Sequence, residues 1–246
     1  MPTLIFTPRY TVDSQALWKA AGKIGWRVER LAGWRVPDHL REIPDPIFYG
    51  EALFGPVLAE QLGLALISPS EDWLVNLPFE YRSRQISMTT LGLARQNSQP
   101  RFVKPPNDKS FPASVYRGSE LPTEYPDDMP VLVSDVVVWQ KEFRCFVLNR
   151  KLMTYSIYSR FGELQEAQGF ASSVDEHQQL EAFLSRLLAD QRVELPVATV
   201  VDVGTIAGDW ACVEQNAAWG AGIYGCDPAK VLEVLAHSSL RVSCNS

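Results

Sequence analysis

An α+β fold is predicted for this 246-residue chain from three observations. Residues 1–93 alternate strand and helix patterns. Residues beyond 100 carry many short strand patterns divided by Pro- and Gly-bearing turns. The helix patterns there fall between groups of strands and do not alternate with single ones. Hydrophobic residues are 46% and charged residues 21%, so the chain can bury a core and is not expected to be disordered.

The first element is the apolar run Thr3–Phe6, read as a strand. Ser14 can cap a helix over Gln15–Lys23, and Trp26–Leu31 alternates like a second strand. A strand–helix–strand connection of this length implies parallel pairing with a right-handed crossover. The proline-rich stretch 36–46 reads as a connection, followed by a brief strand at Ile47–Tyr49, a helix over Glu51–Leu62 and a strand at Leu64–Ile67. Residues 94–100 form the candidate linker, which divides the chain into 1–93 and 94–246. Strands are expected at Arg101–Lys104, Ser114–Tyr116, Val131–Val138, Phe143–Leu148 and Lys151–Tyr158. Ser172 or Ser173 caps a helix in which Leu180, Phe183, Leu184, Leu187 and Leu188 share one face. Val197–Gly204 and Trp210–Glu214 flank a Gly208-Asp209 turn and read as an antiparallel hairpin, and a last helix starts near Pro228.

Charge and cysteine content narrow the function. There are 23 basic against 29 acidic residues, a formal net charge of −6, which argues against bulk nucleic acid or an anionic membrane as partner. The four cysteines form no C-x-x-C pair, which fits a reduced compartment and argues against a zinc knuckle or a dense disulfide framework. The start MPTLIFTPRY has no secretory character, and no stretch of about 18 apolar residues exists, so a cytoplasmic protein is expected. P-loop, nucleophile-elbow and H-E-x-x-H motifs are absent. His39, His177 and His237 lie far apart and read as surface or capping residues. Trp18, Trp26 and Trp34, interleaved with Lys and Arg, could stack on nucleobases but also suit core faces. Gly220–Gly225 satisfies G-x-G-x-x-G, yet no acidic residue follows at the distance a dinucleotide fold needs. It reads better as a loop whose backbone approaches something closely.

The chemistry concentrates on the hairpin. Asp202 sits on one strand, and Glu214 and Asn216, two apart on the other, project to the same face. Two carboxylates and an amide oxygen form a hard oxygen set suited to Mg²⁺ together with phosphates and water. Asp and Asn are also common at solvated hairpin ends, so spacing alone leaves both readings open. Basic residues supply the complement: Lys104 in R-F-V-K, Lys109 in the loop after it, Arg144 inside the apolar strand E-F-R-C-F-V, and Arg160 at a strand end. An Arg in mid-strand must face a cleft or a partner, because burying it unpaired is costly. Beside Mg²⁺ such a set describes a triphosphate clamp, although each residue alone would also fit an exposed or salt-bridged position.

In order, F-V-K-P, then V-S-D-V-V-V-W-Q-K-E-F-R-C-F-V, then S-R, then D-V-G and W-A-C-V-E-Q-N resemble an ATP-grasp core over Arg101–Ala236. The likeness is to the divergent clade with two diagnostic arginines and a lysine. That clade includes the eukaryotic cell-division-cycle protein that assembles translation initiation factor 2, together with bacterial and phage relatives of unknown substrate. The resemblance implies two α+β subdomains clamping ATP, preceded by a small α/β pre-ATP-grasp domain at 1–93, with a hinge near 134–138. It implies Lys104 and Lys109 on the nucleotide phosphates, Ser134, Asp135 and Val137 at the adenine edge, and Glu142 near the ribose. Arg144 and Arg160 would stabilise the transferred phosphoryl group. Asp202, Glu214 and Asn216 would bind Mg²⁺, and the loop Ala217–Gly225 would face the acceptor. The stretch Pro105–Pro112 lacks the Gly-rich phosphate loop of most ATP-grasp enzymes, a departure the divergent clade shares. The activity implied is an ADP-forming carboxylate–amine ligase acting through an acyl phosphate, its carboxylate and amine substrates unknown, with a peptide or protein one candidate among free amino acids and other small carboxylates. The alternative is an ATP-binding assembly or regulatory factor for a protein partner. A dinucleotide oxidoreductase is the weakest of the three readings.

Overall fold

The computed structural model describes residues 1–106 and 110–242. The chain opens with β1 (Thr3–Phe6), α1 (Val12–Lys23), β2 (Arg27–Arg30), a short α2 (Asp38–Arg41) and β3 (Pro46–Tyr49). These strands form a parallel sheet in the order β2-β1-β3, as the crossover length implies. Helix α1 starts earlier than Ser14 suggested. Thr11 is the cap, and Ser14 is the third helical residue, whose hydroxyl accepts the Thr11 N–H while the Thr11 hydroxyl accepts the Ser14 N–H.

Next come α3 (Gly55–Gln61), β4 (Leu64–Leu66), α4 (Trp73–Asn76), α5 (Phe79–Arg82), β5 (Ile86–Thr90), α6 (Leu91–Arg95), β6 (Arg101–Lys104), β7 (Ser114–Tyr116) and β8 (Pro130–Ser134). The last four strands form an antiparallel sheet in the order β5-β8-β6-β7. Strand β5 lies before the expected linker yet pairs along its length with β8. Of the expected linker, residues 94–95 belong to α6.

The remaining elements are β9 (Trp139–Leu148), β10 (Lys151–Arg160), β11 (Glu163–Leu164), α7 (Val174–Ala189), β12 (Ala198–Ile206), β13 (Asp209–Asn216), α8 (Pro228–Leu235) and β14 (Ser239–Arg241). They build the large antiparallel sheet β11-β10-β9-β12-β13, while β14 turns back to pair with β4. The β12–β13 turn falls one residue earlier than expected, at Ala207-Gly208, both with positive φ. Helix α7 is capped by Ser173, and its Leu180, Phe183, Leu184, Leu187 and Leu188 are buried as the spacing predicted.

The alternation of β9 sorts its side chains onto two cores. Phe143, Cys145 and Val147 pack with Ile157, Val201 and Val203 under α7. On the other face Phe146, Ala198 and Val200 pack with Leu4, Phe6 and Leu17 of the N-terminal unit and Val231, Leu232 and Leu235 of α8. Each buried Val, Leu, Ile or Phe of these cores contributes roughly 2 kcal/mol. The N-terminal unit and α8 cover only part of this second face, and the polar row described below occupies the part beyond them. Among the described residues, no helix is long and apolar enough to cross a membrane. Cys145, Cys212 and Cys226 are buried and free, and Cys244 lies outside the described residues.

Candidate active site

Antiparallel register sets Ser156, Arg144, Asp202 and Glu214 opposite one another on β10, β9, β12 and β13. Directly opposed residues share a face, so these four form one row across the sheet. Asn216, two residues beyond Glu214, joins it. Asp202 is fully buried and Arg144 is 7% exposed. The Arg144 guanidinium donates to both Asp202 oxygens, from Nε at 3.0 Å and Nη2 at 2.6 Å, and its Nη1 donates to the Gly222 carbonyl at 3.0 Å. Burial opposes the arginine's charge, but Asp202 outweighs it and holds the guanidinium above its ordinary value. Burial pushes the Asp202 carboxyl up to about 6 against the pull of Arg144.

The Asn216 amide reaches Asp202 Oδ2 at 3.2 Å and Glu214 Oε1 at 3.0 Å, so the two carboxylates converge on one small group. Among the described residues, no cluster of three or more His, Cys, Asp or Glu is placed to hold a metal ion. The donor set is therefore two carboxylates and an amide, which fits Mg²⁺, an ion that takes one or two carboxylates and completes its shell with phosphates and water. Lys104 Nζ pairs with Glu214 Oε2 at 2.8 Å. Burial works against the Glu214 charge, and Lys104 and Asn216 nonetheless hold its carboxyl below the usual range. Lys104 stands on β6 of the smaller sheet and Glu214 on β13 of the larger, so this pair spans the space between the two sheets.

The chain crosses between the same sheets at residues 135–138, after β8 ends and before β9 begins. Ser134 is buried, and its hydroxyl donates to the Asp135 carbonyl at 3.0 Å. The Asp135 N–H donates to the Gln85 carbonyl, while its carboxylate accepts the Gln85 N–H and pairs with Arg101. Asp135 is thus occupied on its backbone and its side chain, whereas Val137, half-buried between exposed Val136 and Val138, has its backbone open among the described residues. Glu142 accepts the Tyr158 hydroxyl at 2.9 Å on the same face as Arg144. Lys109 lies outside the described residues.

Arg160 is not brought to this row. In β10 the register jumps from Ile157 opposite Phe143 to Ser159 opposite Glu142, leaving Tyr158 as the extra residue of a bulge. One inserted residue reverses every later side chain. Arg160 therefore faces α7, where both its terminal nitrogens bond Glu176 at 2.7 and 2.9 Å. Arg160, burial and the Ser173 N–H act on Glu176 in that order of size, and its carboxyl is held down to about 2.

Three residues of the site were not singled out from the sequence. Tyr158 and Tyr224 stack with ring centroids 4.9 Å apart, and the Arg144 guanidinium lies 5.5 and 4.8 Å from them. Arg84 is buried and donates to the carbonyls of Cys212 at 2.8 Å and Val213 at 3.1 Å, with its guanidinium 4.9 Å from the Trp139 ring. Val213 is the extra residue of a second bulge, between Cys212 opposite Val203 and Glu214 opposite Asp202. Arg84 thus pins the backbone kink that aims Glu214. The S-R-Q tripeptide at 83–85 carries no pattern that would have announced this.

Comparison with known proteins agrees with this architecture. A sequence search of curated proteins matches none. Among solved structures, the chain is similar to a RimK domain ATP-grasp protein from Sphaerobacter thermophilus, with a TM-score of 0.60 at 13% identity over 95% of this chain and 99% of that one. It is also similar to the D-alanine–D-alanine ligase of Bacillus anthracis complexed with ATP, at 0.53 and 13% over 97% and 96%. The ATP-grasp ligase PsnB complexed with a minimal precursor aligns at 0.51 and 13% over 95% and 97%. At these identities the likeness is one of fold. The family model for the ATP-grasp domain, family 2 of the clade with two arginines and a lysine, matches residues 81–234, more than half of the sequence. The chain therefore belongs to the two-arginine, one-lysine clade of ATP-grasp domains.

Proposed function

We propose that this protein is an ATP- and Mg²⁺-dependent carboxylate–amine ligase. One observation carries the reading: a row of Arg144, Asp202, Asn216 and Glu214 on one sheet meets Lys104 from the other. Asp202, Glu214 and Asn216 would hold Mg²⁺, which supplies charge neutralisation at the triphosphate. Lys104 exchanges Glu214 for a phosphate oxygen, and the backbone around Val137 takes the adenine edge. Glu142, with Tyr158, lies toward the ribose. Arg144 keeps its charge and its place through Asp202, so it can stabilise negative charge growing on the transferred group without having to reorganise. Arg160, held by Glu176, is given no part in the reaction, and Lys109 is reserved for the phosphates as the resemblance implies.

In the reaction proposed, a substrate carboxylate takes the γ-phosphoryl group and ADP leaves. An amine then attacks the acyl carbon, loses a proton, and inorganic phosphate departs with the electrons of the broken bond. Positioning and electrostatics carry such chemistry, so no Ser, Cys or His nucleophile is needed. Peptides are tested beside free amino acids because the resemblance to the clade leaves a peptide or protein acceptor open. The test is product analysis of purified protein incubated with Mg²⁺-ATP, free amino acids and short peptides. ADP and phosphate in equal amounts with a new amide support the reading, and AMP as the product contradicts it. Tight ATP binding without turnover would favour an assembly factor.

A further inference from the structure

The parallel sheet of the N-terminal unit has a switch point. From β1 the chain goes through α1 to β2 on one side, and β3 lies on the other. Crevices outside the carboxyl ends of strands at such a point are where open parallel sheets bind ligands. A cavity of about 160 Å³ lies there, bordered by Thr7, Thr11, Asp13, Glu51, Gly220 and Gly222 among others.

Its polar groups are incompletely satisfied. Thr7 is 3% exposed, its methyl group packs against Gly50, and its hydroxyl has no hydrogen-bond partner among the described residues. Glu51 Oε2 is buried and makes no hydrogen bond, and no cation forms an ion pair with this carboxylate among the described residues, although Arg30 acts on it from beyond contact distance. Asp13 accepts one hydrogen bond, from the Ile223 N–H at 3.1 Å. Arg9 borders the cavity but is exposed and pairs with neither acid. Arg30 stands behind Ser14, committed to the Ser14 hydroxyl and the carbonyls of Thr7 and Arg9. Glu51 is half-buried with one carboxylate oxygen shut off from water, and such an atom is costly to leave without a partner. Burial raises the Asp13 carboxyl above its ordinary value against the pull of the Ile223 N–H and of Arg144.

The cavity adjoins the phosphate end of the row. A Cβ at Gly222 would stand 3.2 Å from Asp13 Oδ2 and 3.6 Å from Arg144 Nη1, so this residue is all that separates the acid from the arginine. The glycine run 220–225, unexplained by dinucleotide binding, is here a wall thin enough to join two subsites.

We propose that this cavity binds the amine substrate by its ammonium group, with Glu51 and Asp13 as counter-charges and the Thr7 hydroxyl as a third contact. The inference rests on the ligase reading and sharpens it: the nucleophile is a free amine, an amino acid or peptide N-terminus, entering beside Arg144 from the N-terminal unit. An anionic group is disfavoured because Asp13 already fills the N-terminal turn of α1, where an anion would otherwise sit.

The test is thermal-shift and calorimetric titration of full-length protein, saturated with Mg²⁺ and a non-hydrolysable ATP analogue. The probes are the 20 free amino acids and their dipeptides, alongside their N-acetyl counterparts. At least one free amine is expected to bind, its N-acetyl form to bind at least tenfold more weakly, and Glu51→Gln to lose at least tenfold in affinity for it. Asp13→Asn, measured in parallel, is expected to weaken the same probe. If free and acetylated probes bind alike, if Glu51→Gln matches wild type, or if no amine binds, the proposal is overturned. Failure of the analogue itself to bind wild type would instead overturn the ligase reading.

Discussion

Two arginines on neighbouring strands of the same sheet have opposite surroundings. Arg144 lies in a buried bidentate pair with Asp202, in a row that reaches across to Lys104 of the other sheet. Arg160 makes an equally bidentate pair with Glu176, but on the far face and about one-third exposed. The chemistry of the two pairs is the same, and what separates them is one bulged residue, Tyr158. In a sheet, position along the strand sets which face a side chain takes, and a single insertion reverses it. A charged residue type in a strand is therefore weak evidence for a site until its register is known.

The sharpest way to break the comparison is Asp202→Ala. It leaves Arg144 buried without its carboxylate and is expected to cost about 3–5 kcal/mol of stability, read by chemical denaturation. Glu176→Ala, its counterpart under α7, removes a carboxylate shared by Arg160, Lys141 and the Ser173 N–H, and is expected to cost less, about 1–2 kcal/mol. Second in size is Arg84→Met, which strands the buried Cys212 carbonyl and the half-buried Val213 carbonyl at the bulge. A loss of about 2 kcal/mol is expected, together with a several-fold loss of Mg²⁺-ATP affinity, because Glu214 is no longer aimed. An unchanged affinity would remove Arg84 from the support of the site.

A pH titration of stability separates the two pairs further. Glu176 is held down to about 2, below its unfolded value, so its contribution is complete above the unfolded pKa and is lost as pH falls through the folded one. Wild type should therefore lose stability between about pH 4.5 and 2 more steeply than Glu176→Gln, and identical profiles would show the pair to be silent. The smallest effect is expected from Arg160→Ala, which should bind Mg²⁺-ATP within about twofold of wild type. A tenfold loss there would return Arg160 to the site.

What the sequence revealed follows the same physics. The β12–β13 hairpin was legible from its turn signal, and Glu214 and Asn216 share a face by the strand period, but Asp202 stands opposite Glu214 only because the Val213 bulge shifts the register by one residue. Helix α7 was legible from its apolar spacing and Ser173. The two bulges were not, since nothing local distinguishes Tyr158 or Val213 from regular strand residues. That hid the fate of Arg160 and the purpose of Arg84. Helices α4 and α5, of one turn each, are too short to show a period, and β5 follows α5 after only three residues. The cavity beside α1 was invisible because Thr7, Asp13 and Glu51 meet only when β1 and β3 lie side by side.

The central claim is that the row on the large sheet, completed by Lys104, is the Mg²⁺-ATP site. Calorimetric titration of ATP in excess Mg²⁺ into wild type and Glu214→Gln tests it most directly, because the substitution keeps the side chain's shape and removes only its charge. The account expects wild type to bind and Glu214→Gln to bind at least tenfold more weakly. Equal affinity in the two proteins would contradict it.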